Sequence, residues 1–226
     1  MDEEYQNFLN HIRYWEPSQQ LLDKVQQDKV ICASSESAEE AILKLLIENP
    51  QGTVLTVSKR AAASVNLSVI IAFFTTSPAL ATIQYDCHMP PAALYKDMRV
   101  IVTQNRDKLN GIVNGKPAIV HCVENATVFL KLRKGNIVAT HPVTVTDEND
   151  FQRTCYPFAP AYAMTMTKSQ GQTLDKVIVC FDSNKVGPGS AYVALSRVRR
   201  KEDLIVITRM LYAHITPVTE TYQDML

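Results

Sequence analysis

Two polar clusters interrupt apolar runs in this chain, and both carry groups suited to phosphate. The first closes the run Ala161-Tyr-Ala-Met-Thr165 and reads Thr167-Lys168-Ser169-Gln170-Gly171-Gln172-Thr173. Hydroxyls, an ammonium, an amide and bare backbone beside a glycine form a donor-rich surface for phosphate oxygens. A strand followed by an ordinary polar turn reads the same letters without a ligand. The second cluster is Tyr192-Val-Ala-Leu-Ser196-Arg197-Val198, followed by Arg199, Arg200 and Lys201. The last three are most simply a solvated basic turn. Arg197 differs, because its apolar neighbours predict a partly buried, positioned guanidinium offering a planar donor fork.

These clusters need a scaffold, and the periodicity supplies one. Tyr5, Phe8, Leu9 and Ile12 recur at helical spacing over residues 3–13, and a second helix follows Pro17-Ser18. Val30–Ala33 reads as a short strand. Ser37 is the expected N-cap of a helix over 38–48, with Glu39 and Glu40 in its first turn, and Asn49-Pro50-Gln51-Gly52 stops it. A β-branched strand over 53–57 and a helix over 59–72 come next. Strand, helix, strand, helix is the alternation of a parallel sheet. Residues 75–97, rich in Pro and Thr, read as a loop. From Met98 to Thr146 only short strands occur, at 98–103, 117–123, 127–132 and 137–140, separated by Asn-Gly and similar turns. This stretch predicts a small β-barrel, and 147–153 a polar connector. Strands then return at 161–167, 176–181 and 204–207, with a helix over 191–199 capped by Ser190. An α/β domain formed by residues 1–94 and 154–226 is thus interrupted by a β-module at 95–153. In open α/β sheets ligands sit at strand ends, where the first cluster falls.

Composition narrows the function classes. Hydrophobic residues make up 46% of the 226 and charged residues 20%, as in a globular protein, so a disordered chain is excluded. Lys+Arg and Asp+Glu number 23 each, which excludes a uniformly basic nucleic-acid coat but not a local one. The charge is unevenly placed. Residues 1–50 carry 4 basic and 10 acidic side chains, 95–136 carry 8 and 3, and 168–209 carry 8 and 4. Five scattered cysteines form no C-x-x-C pair, so neither a disulfide framework nor a zinc ribbon is expected; Cys87-His88 and His121-Cys122 are not read as a metal site. The cysteine usage suits a reducing, intracellular compartment. Val69–Phe74, the longest apolar run, is far too short to span a membrane.

The two clusters resemble the last two signature motifs of superfamily-one DNA helicases of the RecD-like, Pif-type group. The first family motif reads T-I-H-K-S-Q-G-x-T, against Thr165-Met-Thr167-Lys168-Ser169-Gln170-Gly171-Gln172-Thr173 here; the second reads Y-V-A-L-S-R, matched letter for letter by Tyr192–Arg197. Val54-Leu-Thr56-Val-Ser58 followed by Val65-Asn66 is similar to the family's L-T-P-T-N…I-N strand and helix. Met98–Asn105 with Gly111–Gly115 resembles the hairpin that opens its inserted barrel. Thr167 stands where the family usually has histidine. No G-x-x-x-x-G-K-[ST] occurs, and no strand ends in a Mg²⁺-binding Asp-Glu pair.

The resemblance implies a RecA-like parallel sheet with helices on both faces and a small src-homology-type barrel. It also implies the second half of an ATP-dependent five-prime-to-three-prime DNA helicase, inactive without an N-terminal motor domain supplied in cis or in trans. In that family Arg197 would be the catalytic arginine finger on the γ-phosphate of ATP, with Gln170 and Gly171 lining the nucleotide cleft. Thr165, Thr167, Lys168 and Ser169, with Thr56 and Ser58, would contact single-stranded DNA, and Mg²⁺ would be held by the other half. Lys96, Arg99, Arg106, Lys108 and Lys116 would help guide the strand. The expected location is intracellular, in the nucleus or mitochondrion of a eukaryotic host. The alternative is a catalytically silent nucleic-acid-binding module derived from this fold.

Overall fold

The computed structural model describes residues 2–27, 36–85, 91–109, 111–133, 135–146, 150–183 and 185–217. The strand expected at Val30–Ala33 and the Cys87-His88 pair lie outside these residues. The chain runs α1 (Glu3–Tyr14), α2 (Gln19–Gln26), α3 (Glu36–Glu48), β1 (Thr53–Thr56) and α4 (Lys59–Phe74). It continues through β2 (Ala81–Ile83), β3 (Ala92–Leu94), β4 (Arg99–Val102), β5 (Pro117–Glu124), β6 (Thr127–Leu132), β7 (Ile137–Thr140), β8 (Val143–Thr146), β9 (Gln152–Cys155) and β10 (Phe158–Pro160). It ends with β11 (Ala163–Thr165), a 3₁₀ turn at Thr167–Ser169, β12 (Val177–Cys180), α5 (Ser190–Leu195) and β13 (Leu204–Val206), between which and the C-terminus lies a 3₁₀ turn at Tyr212–His214. The chain forms two compact units, residues 1–69 with 163–226, and residues 70–162. The sequence-derived boundaries at 94/95 and 153/154 both fall inside the second unit.

The first unit is built on a four-stranded parallel sheet in the order β11-β1-β12-β13. Burial explains the run of branched residues: Val54, Leu55, Val177, Ile178 and Val179 are all inaccessible to solvent. A parallel pair cannot be closed by a tight turn, so β12 reaches β13 through the crossover carrying α5. Helix α1 begins at Asp2, whose carboxylate accepts from Tyr5 N at 3.0 Å. It buries Tyr5, Phe8, Leu9 and Ile12, the four residues that set its period. Gln26 acts as a clamp: its amide donates to Met210 O at 2.9 Å and accepts from Met210 N at 2.6 Å, tying α2 to the segment after β13.

The second unit holds a five-stranded antiparallel sheet, β10-β4-β5-β6-β7, and two separate ribbons, β2-β3 and β8-β9. Alternating burial along β5, β6 and β7 places Ala118, Val120, Val128, Leu130, Leu132 and Val138 inside. A register shift between Val120 and Cys122 leaves a bulge at His121. Residues 75–97, read as a loop, contain the β2-β3 ribbon. The connector expected at 147–153 is flanked by β8 and enters β9 at Gln152. These strands are three or four residues long, too short for a period of two to stand out.

Candidate nucleotide and nucleic-acid site

The parallel register places the polar strand ends side by side. Thr56, the last residue of β1, is level with Thr165 of β11 and Cys180 of β12. Edge strand β11 is fastened by Asn66 on α4, whose buried amide donates to Ala163 O at 2.8 Å and accepts from Ala163 N at 2.9 Å. This pairing gives the Val65-Asn66 segment a structural role: an amide satisfies both backbone groups on an otherwise open edge. The strand expected over 161–167 stops at Thr165. Beyond it Ser169 N bonds Met166 O at 3.1 Å and the chain closes into the 3₁₀ turn.

Hydroxyls here divide into two groups. Thr56 is fully buried and donates to Ser58 O at 3.0 Å; Ser169 is fully buried and donates to Met166 O at 2.6 Å. Neither hydroxyl faces solvent, so both shape the turns rather than offering themselves to a ligand. Ser58 caps α4, its Oγ accepting from Ala61 N at 3.1 Å. Thr165 is half-buried, and its Oγ1 accepts from Lys168 N at 3.4 Å. Thr167, Lys168, Gln170 and Gly171 are exposed. Gly171 sits at φ 78°, which favours glycine and keeps the turn's backbone open.

Sequence reasoning missed Asp182. Two residues beyond β12, its carboxylate accepts from Val57 N at 2.6 Å and from Ser58 N at 3.2 Å. It thereby fixes the β1–α4 loop at the positive end of a 16-residue helix. An acid just past a buried strand in an α/β pattern is the signal that would have found it.

Arg197 departs from its expected setting. Helix α5 ends at Leu195 instead of 199, so Arg197 lies just past the C-cap, Ser196. The cap at the other end is Gly189, at φ 70°, and Ser190 is the first helical residue rather than the cap. Where the helix ends, side chains occupy the Val193 carbonyl, which accepts from Arg197 Nε at 2.7 Å and from Ser196 Oγ at 3.1 Å, while Arg197 N turns to Ala194 O at 3.2 Å. Arg197 Nη1 donates to Gln172 O at 2.9 Å and, more weakly, to Ser169 O at 3.5 Å; Nη2 donates to Ser196 Oγ at 2.8 Å. Its own carbonyl accepts from Leu174 N at 3.0 Å. Both signature clusters are therefore joined through one half-buried guanidinium. Desolvation lowers its pKa, yet a guanidinium stays charged at neutral pH. Tyr5 secures the same helix end from α1, donating its hydroxyl to Leu195 O at 2.7 Å.

The other basic residues are less concentrated than their count suggests. Arg200 is paired with Glu202 and Asp203. In the second unit Lys96, Arg106, Lys108 and Lys116 are exposed, but Arg99 is not a free surface cation. Its guanidinium stacks 5.2 Å from the centre of the Tyr162 ring and donates to Ala161 O at 3.2 Å, and burial lowers its pKa. Among the described residues no group of three or more His, Cys, Asp or Glu side chains could hold a metal ion.

The chain is similar to known helicases in sequence and in fold. Over 68 residues it is 37% identical to the DNA replication helicase of Varicella-zoster virus, a match covering 30% of this chain and 7% of that protein. Over 62 residues it is 40% identical to the DNA replication helicase of Epstein-Barr virus, covering 27% and 8%. The Pif1 helicase from Bacteroides, solved in complex with ADP-AlF3 and single-stranded DNA, superposes with a TM-score of 0.72 at 22% identity, covering 100% of this chain and 53% of that one. Pif1 from Candida albicans gives 0.70 at 19% identity, covering 99% and 58%. At such identities these likenesses establish the fold, RecA-like α/β. The chain spans about half the length of these solved helicases and matches a much smaller share of the viral ones. The herpes helicase family model, described as helicase, matches residues 100–221, more than half of the chain, and the protein belongs to that helicase family.

Proposed function

We propose that this chain is the second motor half of an ATP-dependent five-prime-to-three-prime DNA helicase, with residues 70–162 forming its inserted β-module. The observation that carries the reading is the bond from Arg197 Nη1 to Gln172 O, 2.9 Å long. It joins the residue suited to a phosphate with the turn suited to a DNA backbone. Family membership and the ADP-AlF3 and single-stranded DNA of the Bacteroides Pif1 complex support the choice of ligands.

The residues present fit the triphosphate end of ATP in part. The guanidinium of Arg197, the exposed amide of Gln170 and the open backbone at Gly171 suit phosphate oxygens. Nothing in the sequence supplies a phosphate-cradling loop with its lysine, or an acidic pair for Mg²⁺. Those groups belong to a partner motor domain, in cis or in trans. When bound, ATP supplies the transferable phosphoryl group; Arg197 offers charge to its outer oxygens, where such a group is worth about 10³–10⁵ in rate. Lys168, Thr167 and Thr165 hold the DNA backbone. Ser58 borders that track, while Thr56 and Ser169 fix its loops. The DNA replication helicases among the relatives support work on DNA.

The test is Arg197→Ala in a motor completed by its N-terminal domain. DNA-stimulated ATP turnover is expected to fall by about 10³ or more, with the fold retained. A folded variant that turns over ATP at the wild-type rate refutes the assignment. A second reading, a silent nucleic-acid-binding module, rests on the lack of a phosphate-cradling loop and of an acidic Mg²⁺ pair in the sequence. It predicts DNA binding with no turnover in any combination.

A further inference from the structure

We propose that Gln172 is the positioning residue that sets Lys168 against the DNA backbone, anchored in turn by Arg197. The inference rests on Lys168 being a DNA contact, as proposed above. Gln172 occupies the variable place in the S-Q-G-x-T pattern, where the sequence alone assigns it nothing. In the structure it has three uses at once. Its side-chain Nε2 donates to Lys168 O at 3.2 Å, its backbone N donates to Ser169 O at 3.0 Å, and its carbonyl accepts from Arg197 Nη1 at 2.9 Å.

The Lys168 backbone lies in the 3₁₀ turn closed by the Ser169 N–Met166 O bond at 3.1 Å, its own N reaches Thr165 Oγ1 at 3.4 Å, and its carbonyl is the point where the Gln172 amide meets that turn. Its side chain is exposed. A lysine ammonium is a point charge on a flexible stem, so its value at a phosphate depends on where its backbone is held. The Gln172 amide holds that backbone from one side, while the Arg197 fork holds Gln172 from the other. A change in the position of Arg197 therefore reaches Lys168 through one residue.

The test uses the 226-residue chain and a fluorescein-labelled oligothymidylate, followed by anisotropy across a salt series from about 50 to 200 mM. The variants are Gln172→Met, Gln172→Leu, Lys168→Ala and the Lys168→Ala double mutants. Met and Leu keep the backbone carbonyl that meets Arg197 and remove the side-chain amide; a thermal melt of each checks the fold. Gln172→Met is expected to weaken binding about three- to tenfold. It should also make the slope of log affinity against log salt shallower by about 0.7, the loss of one phosphate contact. In the Lys168→Ala background it should change neither. Wild-type affinity and slope in both Gln172 variants, or an equal loss when Lys168 is already absent, overturns the inference while leaving the DNA track standing. Wild-type binding indifferent to salt, or indifferent to Lys168→Ala, overturns the track itself and this inference with it.

Discussion

Arg197 draws its proposed function from shape as much as from charge. Three different nitrogens of its guanidinium meet three different elements: the last turn of α5, the Ser196 cap and the Ser169–Gln172 turn. Arg197→Lys is therefore expected to recover only a small part of the turnover lost in Arg197→Ala, because an ammonium lacks the fork. Steady-state hydrolysis by the two variants, compared in the completed motor, checks this; full recovery in Arg197→Lys would reduce the residue to a point charge. The sequence made Arg197 legible, since an arginine inside an apolar run has few reasons to be there. It did not make Thr56 and Ser169 legible as buried braces, because their partners are backbone carbonyls whose position depends on where strands end. His214 is a further residue visible only in three dimensions. It is buried, stacks 4.5 Å from Phe181 and accepts from Leu211 N at 3.1 Å, and desolvation lowers its pKa. A lowered histidine leaves the native state with fewer bound protons than the unfolded chain below the ordinary value of about 6.5. Its contribution to stability is full above that value and is lost as pH falls toward the native pKa. Thermal melts from about pH 7.5 to about 5.5 should show a smaller loss in His214→Asn than in wild type; equal losses would remove His214 as a cause.

At the scale of elements, the site depends on features that keep short pieces in register. Asn66 is the clearest: removing its amide leaves both backbone groups of Ala163 without it. Asn66→Ala is expected to cost about 2–4 kcal/mol, from two buried groups at about 1–2 kcal/mol each. Chemical denaturation measures this, and a cost near zero would mean that the β11 edge is held by other means. The β5–β6 hairpin carries a local conflict of the opposite sign. Asn125 and Ala126 sit at φ 47° and 61°, the two left-handed positions of a turn that favours glycine second. Ala126→Gly should stabilise by about 0.5–1 kcal/mol, the relief of left-handed strain less glycine's extra chain entropy. A destabilised variant would show that the strain is relieved elsewhere. The long helices and buried strands were legible because period and branching mark them. The β2-β3 and β8-β9 ribbons were not, at three or four residues each. The premature end of α5 was hidden too: Ser196 and Arg197 divert Val193's carbonyl, and no helical period records that.

The molecule as a whole combines a parallel α/β unit with an antiparallel β unit, and the alternation of patterns along the chain foretold that combination. Its neutral total charge conceals an acidic first fifth and two basic stretches. Folding removes part of that basic excess from use, since Arg99 is stacked on Tyr162 and Arg200 is paired, and leaves Lys168 among the exposed cations beside the site. In the proposed function, this chain would bring an arginine and a DNA-facing turn to a reaction whose Mg²⁺ and inner phosphates would be held by another motor domain. DNA-stimulated ATP hydrolysis by residues 1–226 tests it most directly, measured alone and after addition of an N-terminal motor domain bearing the phosphate-loop lysine. Background hydrolysis is expected from the chain alone, stimulated turnover from the pair, and loss of that turnover with Arg197→Ala. Robust DNA-stimulated hydrolysis by the chain alone, unchanged by Arg197→Ala, would contradict it.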